Sequence, residues 1–385
     1  MKAGRAIRFA DPPVDRALAL EGLVREHADQ SERDRRLHRA VAEALAAAGL
    51  YRIAAPQDCF GEEAPPLEQI ETIEAISRFD GASGWNLMIG IETFGLVAPG
   101  FEHCRDLIED PLVVLCSSTA AVGRADPVPG GYRISGQWPF VSGCHNAIIF
   151  CATVDLPEIG LRYAVVPEPD YEVIDTWRVG GLRGSGSHDV RVKGAFVPEE
   201  RITAPIGGAA SECPLLRFPL GARLAYNKVA VAFGLARAAM DAFVALAEGK
   251  TPRFTSARLR ESPHAQQAAV EAEVRLLRSR AMVMEQVAKM WAVVQVAGHI
   301  TTRERALFQL ACSDAVRDCA DAVDVVAEAA GTTANQAGHP LERISRDIRV
   351  VRQHTTVAGH NLLDTGRVLL GLKPQSMMLA GGNRP

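Results

Sequence analysis

The hydrophobic repeat of this chain switches twice, from a helical period to a strand period and back, and few folds accommodate that order. Leu37, Val41, Leu45 and Ala48 recur at helical spacing until Gly49, which places a helix that stops at the glycine. Leu67, Ile70, Ile73 and Ile76 repeat the pattern up to Asp80-Gly81, and Ser83 stands where a cap is expected for a further helix starting near Trp85. The text then changes to short β-branched runs: LVVLCSS, GGYRISG, NAIIFCATV, LRYAVVP and HDVRVKGAFVP. Strand follows strand with no helical stretch between, which favours an antiparallel barrel or sandwich over a parallel βαβ sheet.

Beyond residue 216 the helical period returns in long runs. Val270, Val274, Leu277, Ala281, Met284, Ala288 and Trp291 form one apolar stripe, with Glu271–Arg275 and Glu285–Lys289 pairs expected on the exposed faces. Leu307, Leu310, Val316, Val323 and Val326 mark another helix. At 385 residues the chain exceeds one compact core. The expected fold class is α+β, mainly α: an N-terminal helical domain over 1–110, a middle antiparallel β-barrel or sandwich over 111–215, and a C-terminal four-helix bundle over 216–385.

With 42 basic and 46 acidic residues, net charge −4, there is no electrostatic footprint for nucleic acid. The eight cysteines form no CxxC pair and read as reduced core thiols. His354 and His360 lie six apart, with no HExxH anywhere, so no metal site is expected. We find neither a signal-type apolar run near the N-terminus nor a stretch of about 18 uncharged apolar residues. A cytoplasmic protein with no membrane partner is the expectation.

Two segments invite a ligand. Gly180-Gly181-Leu182-Arg183-Gly184-Ser185-Gly186-Ser187 lies between strands rather than opening a helix, so the dinucleotide-loop reading fails on context. It reads either as a plain tight turn or as a connection that lets backbone approach a ligand. In Trp138-Pro139-Phe140-Val141-Ser142-Gly143, strand alternation puts Trp138, Phe140 and Ser142 on one side, as a core-facing aromatic pair or as a ligand wall. By itself His354 reads as a solvated or hydrogen-bonded histidine.

Taken together, this order of segments, the aromatic-x-Ser-Gly strand and the run Leu341-Glu342-Arg343 with Arg346-Asp347 resemble the acyl-CoA dehydrogenase superfamily. Gly136 to Gly143 is similar to the family's G-x-K-x-[WF]-I-[ST]-N segment, which implies that Phe140 packs on a flavin and Ser142 bonds to its N5. The carboxylate that takes the thioester α-proton in the dehydrogenases is missing: its place reads His354-Thr355-Thr356, and Gly221 to Ala230 holds no acid. The T-E-P-x-A-G-S-D segment is replaced by Ser118 to Ala125. W-x-F-x-S-G, then G-L-R-G-[ST]-G-S, then a histidine resembles the branch of two-component flavin-dependent monooxygenases.

That resemblance implies the oxygenase component of such a system. It would take reduced flavin, FMNH2 in preference to FADH2, from a separate NAD(P)H:flavin reductase, and use O2 through a C4a-hydroperoxide to hydroxylate a small aromatic or heterocyclic molecule. The preference for FMN follows from Ala327, standing before Ala330-Gly331 where the dehydrogenases place a Gln before a Gly-Gly. His354 and Ser142 would be catalytic, His354 exchanging a proton at working pH because an ordinary imidazole titrates at about 6.5. Ser118, Trp138, Phe140, Ser142, Ser185, Ser187 and Arg253 would hold the flavin, the last three at its phosphate. Trp85, Asn86, Met88 and Glu92 would contact substrate, although Glu92 on its own reads as a surface or salt-bridged residue. A homotetramer is implied as well. Three readings stay open beside this one: a dehydrogenase or oxidase with an unrecognised base, an N- or S-oxygenase on the same scaffold, and a flavin-binding protein without activity.

Overall fold

The structure, a computed structural model, describes residues 9–156, 159–204, 213–376 and 379. In order it runs α1 (Pro13–Leu18), α2 (Glu21–Asp34), α3 (Arg39–Ala47), α4 (Pro66–Phe79) and α5 (Gly81–Leu96), then β1 (Leu115–Val128), β2 (Gly131–Val141), β3 (Ile149–Leu156), β4 (Gly160–Pro167), β5 (Tyr171–Ile174) and β6 (His188–Pro198). Helices α6 (Leu220–Gly249), α7 (Pro263–Gln295), α8 (Thr302–Ala330), α9 (Pro340–Gln353) and α10 (His360–Leu369) follow. The chain divides into two compact units: Met1–Thr72, Trp85–Val179 and Arg183–Leu216 form the first, and Ile73–Gly84, Gly180–Leu182 and Arg217–Pro385 the second.

In the first unit the strands make one six-stranded sheet of order β4-β3-β1-β2-β6-β5. The fold class is the expected one, but the sheet is mixed rather than wholly antiparallel, because β1 and β3 run parallel. The reason lies in the connections. The β1–β2 hairpin, pairing Arg124 with Ser135 and Val128 with Gly131, returns the chain to the level where β1 began. The short link over residues 142–148 then steps past β1, so the next strand must run in the direction of β1; β2 itself serves as the crossover that a parallel pair requires. β1 also carries a register shift between Ser118 and Gly123, which bends it so that its two halves serve different neighbours. Trp138, Ile134, Phe150, Val154, Val166, Val190 and Val192 fill the core so enclosed.

In the second unit α8 is the central helix, packed by α6, α7, α9 and α10. It opens on a reciprocal capping box between Thr301 and Glu304, which satisfies two of the orphan donors of its first turn. Helix α5 starts earlier than the sequence suggests: Asp80, not Ser83, caps it, its Oδ2 accepting from the Ser83 N–H at 2.8 Å and the Ser83 hydroxyl at 2.7 Å. Helix α6 is long and apolar enough to cross a membrane by length and composition, yet Lys228, Arg237 and Asp241 interrupt it and most of that stretch is buried within the protein.

The stripe read on α7 is corrected more sharply. Val270, Val274 and Leu277 are exposed. The buried face is instead Ala265, Ala268, Ala272, Leu276, Ser279, Val283, Val287, Met290 and Val294. Both faces keep helical spacing, and the one that packs holds small residues, which let α7 lie close to α8. All eight cysteines are buried free thiols.

Candidate functional site

The chemistry of the first unit begins at a bulge. Strand β2 loses register against β6 between Trp138 and Val141, and Phe140 takes the left-handed conformation, φ 58°. One residue too many on that strand reverses the side-chain alternation. Trp138 therefore points inward, with no exposure, its indole Nε1 donating to the Thr153 carbonyl at 2.8 Å. Phe140 points outward at 70% exposure, edge-on to Trp177 at 6.3 Å. The expectation that Trp138, Phe140 and Ser142 share a side is overturned, and Trp138 is a core residue rather than a flavin contact. A non-glycine residue at positive φ costs about 1–3 kcal/mol, so the surrounding fold holds the Phe140 ring out against local preference.

Just past the bulge Ser142 joins a buried row of hydroxyls. Its Oγ lies 2.6 Å from Ser187 Oγ, which lies 2.8 Å from Ser185 Oγ. Trp85 Nε1, at the start of the α5 portion of this unit, donates to Ser142 Oγ at 3.1 Å. Asn86 Nδ2 reaches the carbonyls of Gly184 and Ser185, each at 3.4 Å, and the Gly143 N–H donates to Ser185 O at 3.2 Å. Gly143 itself sits at φ 76°, and a Cβ there would meet Asn86 Oδ1 at 2.9 Å, so only glycine fits. Sequence reading had Ser185 and Ser187 at a flavin phosphate. The structure buries both and uses their hydroxyls on each other and on Ser142.

The residues read as substrate contacts lie along α5, and all are buried: Trp85, Asn86, Met88 and Glu92. Met88 is fully enclosed, and Glu92, at 8% exposure, is not a surface residue; its charge raises the Tyr163 hydroxyl pKa further above a range already lifted by burial. Ser118 on β1 donates to the Pro139 carbonyl at 3.1 Å, bracing the bulge from the neighbouring strand. Asn86, Ser142, Gly143, Asn146 and Tyr51 line a small, partly open cavity, with room for little more than a water molecule and far below an ordinary cofactor pocket.

In the second unit the Arg346-Asp347 pair has a definite task. The buried Asp347 carboxylate accepts the Leu182 N–H at 2.6 Å, and Arg346 donates to the Gly180 carbonyl. A Cβ on Gly181 would stand 2.3 Å from the Arg346 carbonyl, so the glycine is what lets α9 clamp this stretch. The Gly-rich run is thus held at one end by the R-D pair.

His354 follows α9 as its C-cap. Its Nδ1 lies 2.9 Å from Thr356 Oγ1 and accepts from the Thr356 N–H at 3.4 Å; Gln309 Nε2 on α8 holds the Thr356 carbonyl at 2.7 Å. With Nδ1 engaged by donors, the neutral ring carries its proton on Nε2. Burial first, and the charge of Lys228 second, push the His354 pKa down to about 3. The expectation of a group exchanging protons near neutrality is therefore overturned: removing water around an imidazole penalises its cationic form. What His354 offers is an Nε2–H donor. Lys228, buried on α6, escaped the sequence reading, although a lone lysine in Tyr226-Asn227-Lys228-Val229-Ala230 was a usable signal. Trp177 was missed too. Arg253 is exposed, its guanidinium 6.0 Å from the ring of the nearly fully exposed Phe254.

A flavin offers a flat ring to stack on and acceptors at its edge, and the first unit presents matching chemistry in Phe140, held outward, and the Ser142 hydroxyl two residues on. Among the described residues no group of three or more His, Cys, Asp or Glu side chains is placed to hold a metal. Residues 226–358 match the acyl-CoA dehydrogenase C-terminal domain family. The chain is 30% identical to the indole-3-acetate monooxygenase of Pseudomonas putida, with 97% of both chains covered. It is 27% identical to the oxygenase component of the FADH2-dependent resorcinol hydroxylase of a Rhizobium species, covering 94% of this chain and 95% of that one. Among solved structures, the 3-HSA hydroxylase of a Rhodococcus species superposes with a TM-score of 0.85 at 26% identity, over 96% of this chain and 99% of that one. By that full-length relationship the chain belongs to the flavin-dependent monooxygenases built on the acyl-CoA dehydrogenase fold.

Proposed function

We propose that this protein is the oxygenase component of a two-component system and hydroxylates a small aromatic or heteroaromatic molecule. The observation that carries the reading is His354: where the dehydrogenases need a carboxylate base, this chain holds an imidazole kept neutral by burial, which cannot serve as that base's anionic equivalent but can donate through Nε2–H to a developing oxygen anion. Reduced flavin supplies two electrons, so that one atom of dioxygen enters the substrate and the other leaves as water.

In this reading Phe140 packs on the flavin ring, Ser142 donates to an acceptor at its edge, and Ser118 keeps the bulge in shape. Trp85 and Asn86 hold that wall, and the buried Met88 and Glu92 act from behind it, excluding water so that oxygen transfer outruns loss of hydrogen peroxide. Arg253 is the remaining choice for the flavin phosphate, since its guanidinium is exposed and has a planar fork of donors. FMN is the proposed flavin, on the Ala327 departure; the flavin arrives from a separate NAD(P)H-dependent reductase. A cytoplasmic location fits eight free thiols.

The test is to supply FMNH2 or FADH2 from an unrelated reductase and follow product and peroxide over a panel of indoles and phenols. The reading requires a hydroxylated product from at least one ring class, with FMNH2 the better donor. If peroxide alone forms across the panel while an acyl thioester bleaches bound flavin, the dehydrogenase reading replaces it. We also propose self-association as a homotetramer, supported by the outward Val270, Val274 and Leu277 on α7. A Val274→Lys, Leu277→Lys pair should lower the solution mass, read by light scattering.

A further inference from the structure

The row of hydroxyls beside the bulge has a direction, and the direction fixes what Ser142 can do. An indole N–H only donates, so Trp85 Nε1, 3.1 Å from Ser142 Oγ, fills one Ser142 lone pair. At the far end, Ser185 has no exposure, and among the described residues its hydroxyl meets only Ser187 Oγ, at 2.8 Å. A buried donor left without an acceptor costs more than a lone pair left without a donor, so Ser185 donates to Ser187. Ser187 then has its acceptor filled from that side and donates across 2.6 Å to Ser142. Ser142 accepts from both neighbours, and its own proton has no acceptor within the row.

We propose that Trp85, Ser185 and Ser187 are positioning residues that make Ser142 an obligate hydrogen-bond donor, directed in the oxidised flavin to the N5 acceptor. This rests on the reading that Ser142 lies against the flavin, and goes beyond it by assigning the sense of the bond and the residues that impose it. A serine free to rotate accepts or donates as a ligand demands; this one is set before the ligand arrives, and each accepted bond polarises its O–H further. Ser187 acts only through Ser142. Its removal matters where Ser142 is present and not where it is absent.

The experiment compares oxidised FMN with 5-deaza-FMN, in which a C–H replaces the N5 acceptor, measuring both dissociation constants by fluorescence on the full chain. Wild type should prefer FMN by about two- to tenfold, the size of one net hydrogen bond. Ser142→Ala should erase the preference, Ser187→Ala should at least halve it, and Ser187→Ala in the Ser142→Ala background should change nothing further. Each reading is a ratio on one variant, so partial loss of folded protein cancels. If Ser187→Ala does not fold, Ser187→Cys, a weaker donor, takes its place and should lie between. Equal or tighter wild-type binding of the deaza compound, with Ser142→Ala still changing affinity for both, overturns the donor assignment alone. A Ser142→Ala variant that binds both like wild type overturns the placement of Ser142 at the flavin. A Ser187→Ala effect that persists without Ser142 makes Ser187 merely structural.

Discussion

At position 354 the decisive property is the proton count. Burial and the Lys228 charge hold the His354 pKa at about 3, so the ring is neutral across the working range, and the Nδ1 bonds to Thr356 put the ring proton on Nε2. His354→Ala should keep flavin binding and lose about 10²- to 10³-fold in hydroxylation rate, whereas His354→Gln, which retains an N–H donor, should lose much less. Steady-state turnover beside a flavin-binding titration separates the two. The pH profile carries a sign as well. A pKa of about 3 predicts no loss of rate from His354 as pH falls through 6.5. Lys228→Met removes the second of the two causes, and should move the acid limb upward toward the ordinary imidazole value. Lys228 on α6 is the charged group that acts on the ring, and the Thr356 hydroxyl and N–H that meet its Nδ1 carry no charge.

Among elements, β2 shows what a sequence conceals. Trp138, Phe140 and Ser142 read as one face because alternation is the rule for a strand, and nothing in WPFVSG announces the bulge that turns Phe140 outward. Phe140→Gly relieves the left-handed strain, so it should leave stability unchanged or raise it by about 1 kcal/mol while weakening flavin binding. Opposite signs in a thermal melt and a flavin titration are the expected result, and a loss in both would show the ring to be a structural prop. Helices α3, α4 and α8 and five of the six strands were legible, because their periods are set by the residues they bury, whereas the short β5 and the charged α9 were not. The α7 stripe was not, since the face that packs is rich in Ala and Ser, which weigh little in a hydrophobic pattern, while the larger Val270, Val274 and Leu277 stand outside. The hydroxyl row was half legible: Ser142, Ser185 and Ser187 were marked as residues, but their mutual contact joins positions far apart in the chain.

For the molecule as a whole, three histidines set the acid response. His354 is held at about 3, His145 at about 4 and His188 below its usual value, each first by burial. In the unfolded chain each titrates at about 6.5, so between that pH and 4 the unfolded state binds more protons than the folded one. Stability should be full above pH 6.5 and fall as the medium is acidified toward 4, before most carboxylates protonate. Chemical denaturation at several pH values checks this, and His354→Gln should flatten the decline.

The central claim is that a neutral imidazole in place of a carboxylate goes with oxygen insertion rather than thioester oxidation. Photoreduced FMN, mixed with the protein, an indole or phenol substrate and ¹⁸O₂ in the absence of any reductase, tests it most directly by mass spectrometry of the product. The account predicts one ¹⁸O atom in the hydroxylated ring, and far less of it from His354→Ala. Product oxygen drawn from water, or no ring product with bound flavin reduced anaerobically by an acyl thioester, would contradict it.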